Sequence, residues 1–135
     1  MSIEYKPSGL LIVEDDEGVR RSLVRWAQLQ DVRVVGYDSA EQCIQAMRNN
    51  EFSLTDREHS NFLSHALIDM TLPGRDGLSL VTELSPPLPI ENVILITARV
   101  TEPPRGHDSI YRNCVVLPKP FDLSTLEKLL GLDLD

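Results

Sequence analysis

The chain has 135 residues, with 21 acidic and 13 basic side chains that give a formal net charge of −8. This length predicts one domain, over residues 1–135, that is large enough to bury a hydrophobic core. The negative charge argues against direct nucleic-acid binding, because a phosphate backbone requires a basic surface. No apolar run approaches the length of a membrane span, so we expect no membrane association.

The N-terminal residues do not resemble a secretory signal, because no basic segment is followed by an apolar one. The two cysteines, Cys43 and Cys114, lie in a helix-like and a strand-like segment and lack the spacing of metal ligands. These features favour a reduced, cytoplasmic setting.

The first predicted strand is the continuous apolar run Gly9–Val13, as expected for a strand that is covered on both faces. A helix follows, with apolar side chains at helical spacing and arginines on its other faces. Asp16, directly before this helix, is expected to cap it or to lie in its first turn. The apolar side chains of this helix are Val19, Leu23, Trp26 and Ala27.

The second strand is predicted at Val32–Val35, after a turn at Asp31. Ser39 and Gln42 have the spacing of a capping box and open the second helix. Residues 49–64 are too long and too polar for a simple loop, so we expect an insertion before the third strand. The apolar residues of this insertion, which we expect to pack on the domain or to serve an interface, are Phe52, Leu54, Phe62 and Leu63.

The remaining strands are predicted at His65–Asp69, Asn92–Thr97 and Cys114–Leu117. Before the last of them, Pro103, Pro104 and Gly106 interrupt the helical pattern and predict a short or disrupted fourth helix. The alternation of strands and helices is typical of an α/β fold. We expect a flavodoxin-like, doubly wound parallel sheet of five strands in the order 2-1-3-4-5.

The last helix is predicted to begin at Ser124, with Glu127 three residues on as its capping partner. Its buried side chains are expected to be Leu126, Leu129 and Leu130, which recur at helical spacing. The predicted core of the domain therefore runs from about residue 9 to about residue 131.

Charged side chains follow three of the predicted strands. Glu14 and Asp15 come after the first strand, Asp69 ends the third, and Lys119 follows the fifth. In a doubly wound sheet such strand ends meet where ligands bind. Carboxylates this close raise one another's pKa, and a Mg²⁺ ion removes the conflict. With the metal bound, Asp69 can stay ionised and attack phosphorus as a nucleophile.

Four motifs stand in order along the chain: Ile12-Val-Glu-Asp-Asp16, Ile68-Asp-Met-Thr-Leu-Pro-Gly74, Leu95-Ile-Thr-Ala98 and Leu117-Pro-Lys-Pro-Phe121. Together, and over nearly the whole chain, they resemble the receiver domain of the two-component response-regulator family. The resemblance implies that a sensor histidine kinase or a phosphotransfer protein phosphorylates the central aspartate. It also implies a signalling switch, not an enzyme, that at most dephosphorylates itself slowly.

By this resemblance Asp69 is the phosphoacceptor, and Glu14 and Asp15 hold Mg²⁺ directly or through water. The backbone carbonyl of Thr71 is expected to be a further metal ligand. The resemblance extends to the partners, which are a kinase or phosphotransfer protein upstream and an effector or a fused output domain downstream. The chain is expected to act as a monomer or as a phosphorylation-dependent dimer.

The resemblance assigns two further residues to the phosphoryl site. Thr97 is expected to offer its hydroxyl to the phosphoryl group. Lys119 is expected to pair with Asp69 and then with the phosphate. In the family the bond after this lysine is cis, so we expect a cis Lys119–Pro120 bond.

The chain departs from the family pattern on its output side. Family members often carry an aromatic residue at the position of Val116, and its side chain reports phosphorylation. A valine cannot move a ring between exposed and buried states. Together with the altered fourth helix, this predicts output through a different surface or through reordering of residues 99–113.

Two other functions stay open at this stage. The first is an adaptor that keeps the fold but signals without phosphorylation, for which Val116 and the altered fourth helix leave room. The second, less favoured, is an aspartyl-phosphate hydrolase. Such enzymes place a second aspartate two residues after the nucleophile, where this chain has Thr71.

Overall fold

Five parallel strands form one sheet in the order β2-β1-β3-β4-β5 in the computed structural model, which describes residues 7–98 and 108–132. The strands are β1 (Leu10–Val13), β2 (Val34–Tyr37), β3 (His65–Asp69), β4 (Val93–Thr97) and β5 (Val115–Pro118). The helices are α1 (Glu17–Leu29), α2 (Ala40–Arg48), α3 (Gly77–Leu84), α4 (Asp108–Asn113) and α5 (Leu123–Leu129). The predicted fold class and strand order are confirmed.

The register of the sheet aligns the carboxyl ends of its strands. Val13 is paired with both Tyr37 and Ile68. One residue further along β3, Asp69 is paired with Ile96 of β4. Polar residues that end or follow these strands therefore emerge at a common edge.

The sheet is covered by apolar side chains on both faces, which explains why its central strands are continuous apolar runs. Alternate residues of β1 belong to different clusters, because successive side chains of a strand point to opposite faces. Leu11 and Val13 pack with α2 and α3, whereas Leu10 and Ile12 pack with α1 and α5. All four residues are fully buried.

The predicted caps of the first two helices are confirmed. Asp16 accepts a hydrogen bond from the backbone N–H of Val19 at 2.9 Å. Ser39 accepts one from the backbone N–H of Gln42 at 3.1 Å. Each side chain thus satisfies one of the N–H groups that the first helical turn leaves without a partner.

The prediction for the second strand was shifted by two residues. β2 begins at Val34, not at Val32, and continues to Tyr37. The backbone N–H of Val32 instead bonds to the carbonyl of Ala27 and closes the end of α1. Asp31, with a φ of 59°, makes the turn that allows this closure. The apolar pattern of this segment therefore does not determine the residue at which β2 begins to pair with β1.

The predicted start of α5 was wrong. The helix begins at Leu123 and is capped by Asp122, whose carboxylate accepts the backbone N–H of Thr125 at 3.1 Å. Glu127 does not cap the helix but accepts a hydrogen bond from the indole N–H of Trp26 at 3.1 Å. Leu129, predicted to be buried, is 43% exposed. It lies outside the face that packs on α1.

The fourth helix is short in the described part of the chain, where α4 has six residues. The residues predicted to interrupt it, Pro103, Pro104 and Gly106, lie outside the described residues. The predicted reordering of residues 99–113 falls largely on the same stretch and stays a prediction. Within residues 7–98 and 108–132, no helix has the length and apolar character needed to cross a membrane.

Residues 49–64 pack back on the domain, as one of the two predicted alternatives stated. The apolar side chains of this stretch are all buried: Phe52, Leu54, Phe62 and Leu63. An isolated parallel bridge joins Ser53 to Phe62 and closes the stretch on itself. The His59 ring supports this closure, because its Nδ1 accepts the backbone N–H of Asn61 at 2.9 Å. The inserted residues thus form part of the folded core.

Replacing Phe52 by alanine tests whether the inserted stretch contributes to the core. Phe52 is 1% exposed, and its ring centroid lies 5.9 Å from that of Tyr37. We expect Phe52→Ala to lower the free energy of unfolding by about 3–5 kcal/mol, the usual effect of truncating a buried phenylalanine. Urea unfolding measures this change, with the exposed Thr55→Ala as control. A loss below about 1 kcal/mol contradicts the assignment.

His65 predicts a pH dependence of stability. Burial lowers the pKa of His65 below its ordinary value of 6.5. As the pH falls below 6.5, the unfolded chain takes up a proton that native His65 resists, so the native state loses stability. We expect His65→Asn to lose less stability than the wild type between about pH 7 and about pH 5. If urea unfolding gives the same wild-type-minus-variant difference at both pH values, the prediction is wrong.

Candidate functional site

The carboxyl ends of three strands bring the predicted charged side chains together. Glu14 and Asp15 follow β1, Asp69 ends β3, and Lys119 follows β5. Glu14 and Asp69 are buried, whereas Asp15 is exposed. The position of Asp15 gives the site an opening to solvent.

Lys119 bridges the two buried carboxylates. Its Nζ lies 3.2 Å from Asp69 Oδ2 and 3.3 Å from Glu14 Oε1. The lysine side chain is 32% exposed, but the side chains of Glu14 and Asp69 are only 1% and 7% exposed. A buried carboxylate without a partner is strongly unfavourable, so the ammonium group is what makes this burial tolerable. The Lys119–Pro120 peptide bond is cis.

The protonation equilibria show that this compensation is incomplete. Burial raises the pKa of Glu14 to about 7, and the neighbouring Asp69 carboxylate adds to the rise, against the Asp16 N–H and the Lys119 charge. Burial acts to lower the pKa of Lys119, but Asp69 and Glu14 outweigh it and raise that pKa. One ammonium group therefore does not balance the negative charge that the site gathers.

Three carboxylates at this edge fit a divalent cation. Glu14, Asp15 and Asp69 each offer one oxygen, and these atoms all lie within 4.8 Å of one another. Hard cations such as Mg²⁺ prefer carboxylate oxygens and keep several waters, which the exposed side of Asp15 allows. The raised pKa of Glu14 also indicates that an additional positive charge would be stabilising here.

Backbone N–H groups hold two of the carboxylates in place. The N–H of Thr71 donates to Asp69 Oδ1 at 2.8 Å, and the N–H of Asp16 donates to Glu14 Oε2 at 3.1 Å. With Lys119 on the other oxygen of each group, neither carboxylate can rotate freely. The metal-binding role of the Thr71 carbonyl stays a prediction, although the structure places this residue beside Asp69.

Thr97 ends β4 and is buried. The backbone N–H of Lys119 donates to the Thr97 carbonyl at 2.7 Å, which ties the residue after β5 to β4. Val116 stands where the resemblance implies an aromatic residue. It is half-buried and paired with Leu95. The structure thus places Thr97 next to the lysine and Val116 in the edge strand β5.

Two residues that support the site were not predicted. Arg20, one of the arginines expected on the other faces of α1, donates from Nη1 to the Glu14 carbonyl at 2.9 Å. Gly77 leaves room for Asp69, because a Cβ at this position would lie 2.3 Å from the Asp69 carbonyl oxygen. Gly77, at the end of the turn that begins with Pro73 and Gly74, was a usable signal, but nothing in the sequence indicates where the arginine points.

Comparisons with known proteins agree with this architecture. The sequence profile described as the response regulator receiver domain matches residues 10–131. The response regulator receiver protein CpdR of Brucella abortus (strain 2308) is 29% identical over 120 residues, which cover 87% of this chain and 88% of that protein. The chain is also 25% identical over 124 residues to the sensor protein TorS of Escherichia coli (strain K12), covering 90% of this chain but only 12% of TorS.

A solved structure shows the same fold. The CheY-like response regulator receiver domain protein from Methanospirillum hungatei JF-1 superposes with a TM-score of 0.69 at 19% identity. The match covers 93% of this chain and 96% of that one. Because the family profile spans nearly all of the sequence and the fold agrees, this chain belongs to the response regulator receiver domain family.

Proposed function

We propose that this domain is a phosphoacceptor switch in which Asp69 takes a phosphoryl group from a sensor histidine kinase or a phosphotransfer protein. The observation that supports this most is the position of the Lys119 ammonium, within 3.3 Å of both Glu14 and Asp69. A lysine that only solubilised the surface would not be held between two buried carboxylates. Membership of the receiver family supports the same assignment.

In the proposed reaction Asp69 is the nucleophile. Its Oδ1 accepts the Thr71 N–H and its Oδ2 accepts the Lys119 ammonium, so the plane of the carboxylate is fixed before the donor arrives. Fixed orientation is one of the main contributions that a protein makes to phosphoryl transfer. The phosphorus–nitrogen bond of the donor histidine breaks as the phosphorus–oxygen bond to Asp69 forms.

Glu14, Asp15 and Asp69 would hold the Mg²⁺ ion, with the Thr71 carbonyl as a proposed further ligand. When bound, the ion supplies positive charge that offsets the negative charge on the phosphoryl oxygens. Lys119 is suited to move from the Asp69 oxygen to a phosphoryl oxygen, because its four-carbon stem is flexible and its side chain is partly exposed. The Thr97 hydroxyl is proposed as a second donor to the same group.

The proposed reaction is stoichiometric, so we do not class the domain as an enzyme. Each chain accepts one phosphoryl group and loses it by slow hydrolysis. The similarity to part of the sensor protein TorS and to CpdR supports a place in a phosphorelay. We propose a cytoplasmic setting, an effector or fused output domain as downstream partner, and a monomer or a phosphorylation-dependent dimer.

The output is proposed to be atypical. Val116 lies in β5 and its side chain is too short and too branched to swing between two environments. Signalling is therefore proposed to use another surface, or reordering of residues 99–113. The same observation favours, as a second candidate, an adaptor that signals without phosphorylation. A hydrolase is not favoured, because Thr71 stands where an acidic residue is needed.

Phosphoryl uptake separates the first candidate from the second. After treatment with acetyl phosphate and Mg²⁺, we expect the intact mass of the wild type to increase by one phosphoryl group. Asp69→Asn should show no increase, and the wild type should show none when Mg²⁺ is chelated. Asp76→Asn is the matched control, because asparagine caps α3 as well as aspartate does. Uptake by Asp69→Asn, or no uptake by the wild type, contradicts the proposal.

Lys119→Gln is expected to change metal binding and phosphorylation in opposite directions. Removing the ammonium leaves Glu14 and Asp69 without their competing cation, so Mg²⁺ should bind more tightly by calorimetry. Phosphoryl uptake should slow by about a hundredfold, because a donor to the transferring group is lost. The exposed Lys128→Gln serves as control. Weaker Mg²⁺ binding together with an unchanged uptake rate would show that the lysine has neither role.

A further inference from the structure

A groove of about 310 Å³ lies at the amino ends of β3 and β4, at the opposite end of the sheet from Asp69. One wall comes from the inserted residues 49–64, and the other comes from the proline-rich turn between α3 and β4. The lining residues are Leu54, Thr55, Arg57, Phe62, Leu63, Ser64, Pro87, Pro89 and Asn92. The groove therefore exists only because the inserted stretch folds back on the domain.

The base of the groove is apolar and well ordered by packing. Leu54, Phe62 and Leu63 are 8%, 7% and 0% exposed. On the opposite wall, Pro87 and Pro89 are exposed and have no backbone N–H to offer. The groove is therefore apolar at its base and polar elsewhere, which suits a ligand that carries both an apolar and a polar group.

Arg57 supplies a positioned cation at this groove. Its guanidinium carbon lies 5.3 Å from the centre of the Phe62 ring, a stacking distance that restricts the guanidinium orientation. Its guanidinium makes no ion pair with a carboxylate in residues 7–98 or 108–132. Its two acidic neighbours in sequence, Asp56 and Glu58, are exposed and form no ion pair with it, and Asp56 Oδ1 instead accepts the Glu58 backbone N–H at 3.0 Å.

The second polar group of the groove is held in place as well. Asn92 donates from Nδ2 to the Ser64 carbonyl at 3.0 Å, which joins the two walls at their base. Among the residues that the structure describes, none donates a hydrogen bond to its amide oxygen, which a peptide N–H can therefore use. The groove thus combines an apolar base with one cation and one amide, each fixed by a contact within the domain.

We propose that this groove docks an extended peptide segment of a partner protein in which an apolar side chain stands next to an aspartate or glutamate. The apolar side chain packs on Phe62 and Leu54, and the carboxylate receives two N–H groups from Arg57. A planar guanidinium that is already stacked matches a carboxylate in this way. The surface belongs to a partner-docking function that is separate from the phosphoacceptor site.

The observations favour a peptide over other anionic partners. A nucleic acid or an anionic lipid surface needs several cations on one face, but Arg57 is the only cation among the lining residues of the groove, which suits a ligand with a single carboxylate. A free phosphate ion would leave the apolar base unused. Charge and shape together therefore select a short segment that is both acidic and apolar.

Nuclear magnetic resonance titration of the ¹⁵N-labelled chain tests the proposal with small blocked peptides. We expect acetyl-Leu-Asp-amide to shift the Thr55 and Arg57 backbone signals and the Asn92 side-chain signal to saturation. Acetyl-Leu-Lys-amide, acetyl-Ala-Asp-amide and inorganic phosphate should each shift them far less. The lysine peptide reverses the charge, and the alanine peptide truncates the apolar side chain. Together they separate the ionic contribution to binding from the apolar one.

Matched arginine variants complete the test. Arg57→Gln should weaken the affinity for acetyl-Leu-Asp-amide about tenfold, because a charge-assisted pair of hydrogen bonds is lost. Arg48→Gln, which changes the net charge equally but lies outside the groove, should bind like the wild type. Asp69→Asn should also bind acetyl-Leu-Asp-amide like the wild type, because the proposed peptide binding does not depend on phosphorylation.

Three results overturn the proposal. The first is no saturable shift of the groove signals with acetyl-Leu-Asp-amide. The second is an equal response to inorganic phosphate or to the lysine peptide, which means that the groove does not select an acidic peptide. The third is unchanged affinity in Arg57→Gln.

Discussion

The electrostatic conflict among Glu14, Asp15 and Asp69 is the constraint on which the rest of this structure depends. In a parallel sheet the carboxyl ends of the strands lie at one edge. Here the three carboxylates lie at that edge, and two of them are almost completely buried. Without a positive charge, that arrangement would oppose folding by several kcal/mol per ion. Lys119 supplies this charge from the loop after β5, so the fold is stabilised by the same residue that the proposed chemistry uses. The compensation is partial, and the remaining negative charge is the reason why the three carboxylates fit a cation.

The sheet is rigid because its strands are buried, and this rigidity helps to fix the side chains of the site. β1 and β4 are buried along their whole length, and the residues after β1, β3 and β5 each donate a backbone N–H to a neighbouring strand. The carboxylate of Asp69 is fixed by the Thr71 N–H on one side and by Lys119 on the other. The groove at the opposite end of the sheet is built from the inserted residues and shares none of these contacts. One domain therefore carries two surfaces at opposite ends of the sheet.

The sequence predictions failed where several local solutions had similar energies. Asp122 and Ser124 both precede the apolar face of the last helix, and either is an acceptable cap. In the structure Asp122 caps the helix. Glu127 is therefore available to accept the indole N–H of Trp26 on α1. In the same way, Val32 and Val34 both suit a strand, but the backbone N–H of Val32 is hydrogen-bonded to the end of α1. Such choices depend on contacts between elements distant in the chain, which no local pattern contains.

The sequence alone determined the α/β class, the five strands and their order, and the four residues expected to meet at one edge. The α/β class and the strands follow from local periodicity, whereas the strand order and the shared edge were expected from the known flavodoxin-like arrangement of such folds. Only the tertiary structure decided how deeply Glu14 and Asp69 are buried, that Lys119 lies between them, and that Arg20 supports the Glu14 carbonyl. It also decided that residues 49–64 fold back to form a groove. These features depend on distances between side chains far apart in the chain, which are set by packing.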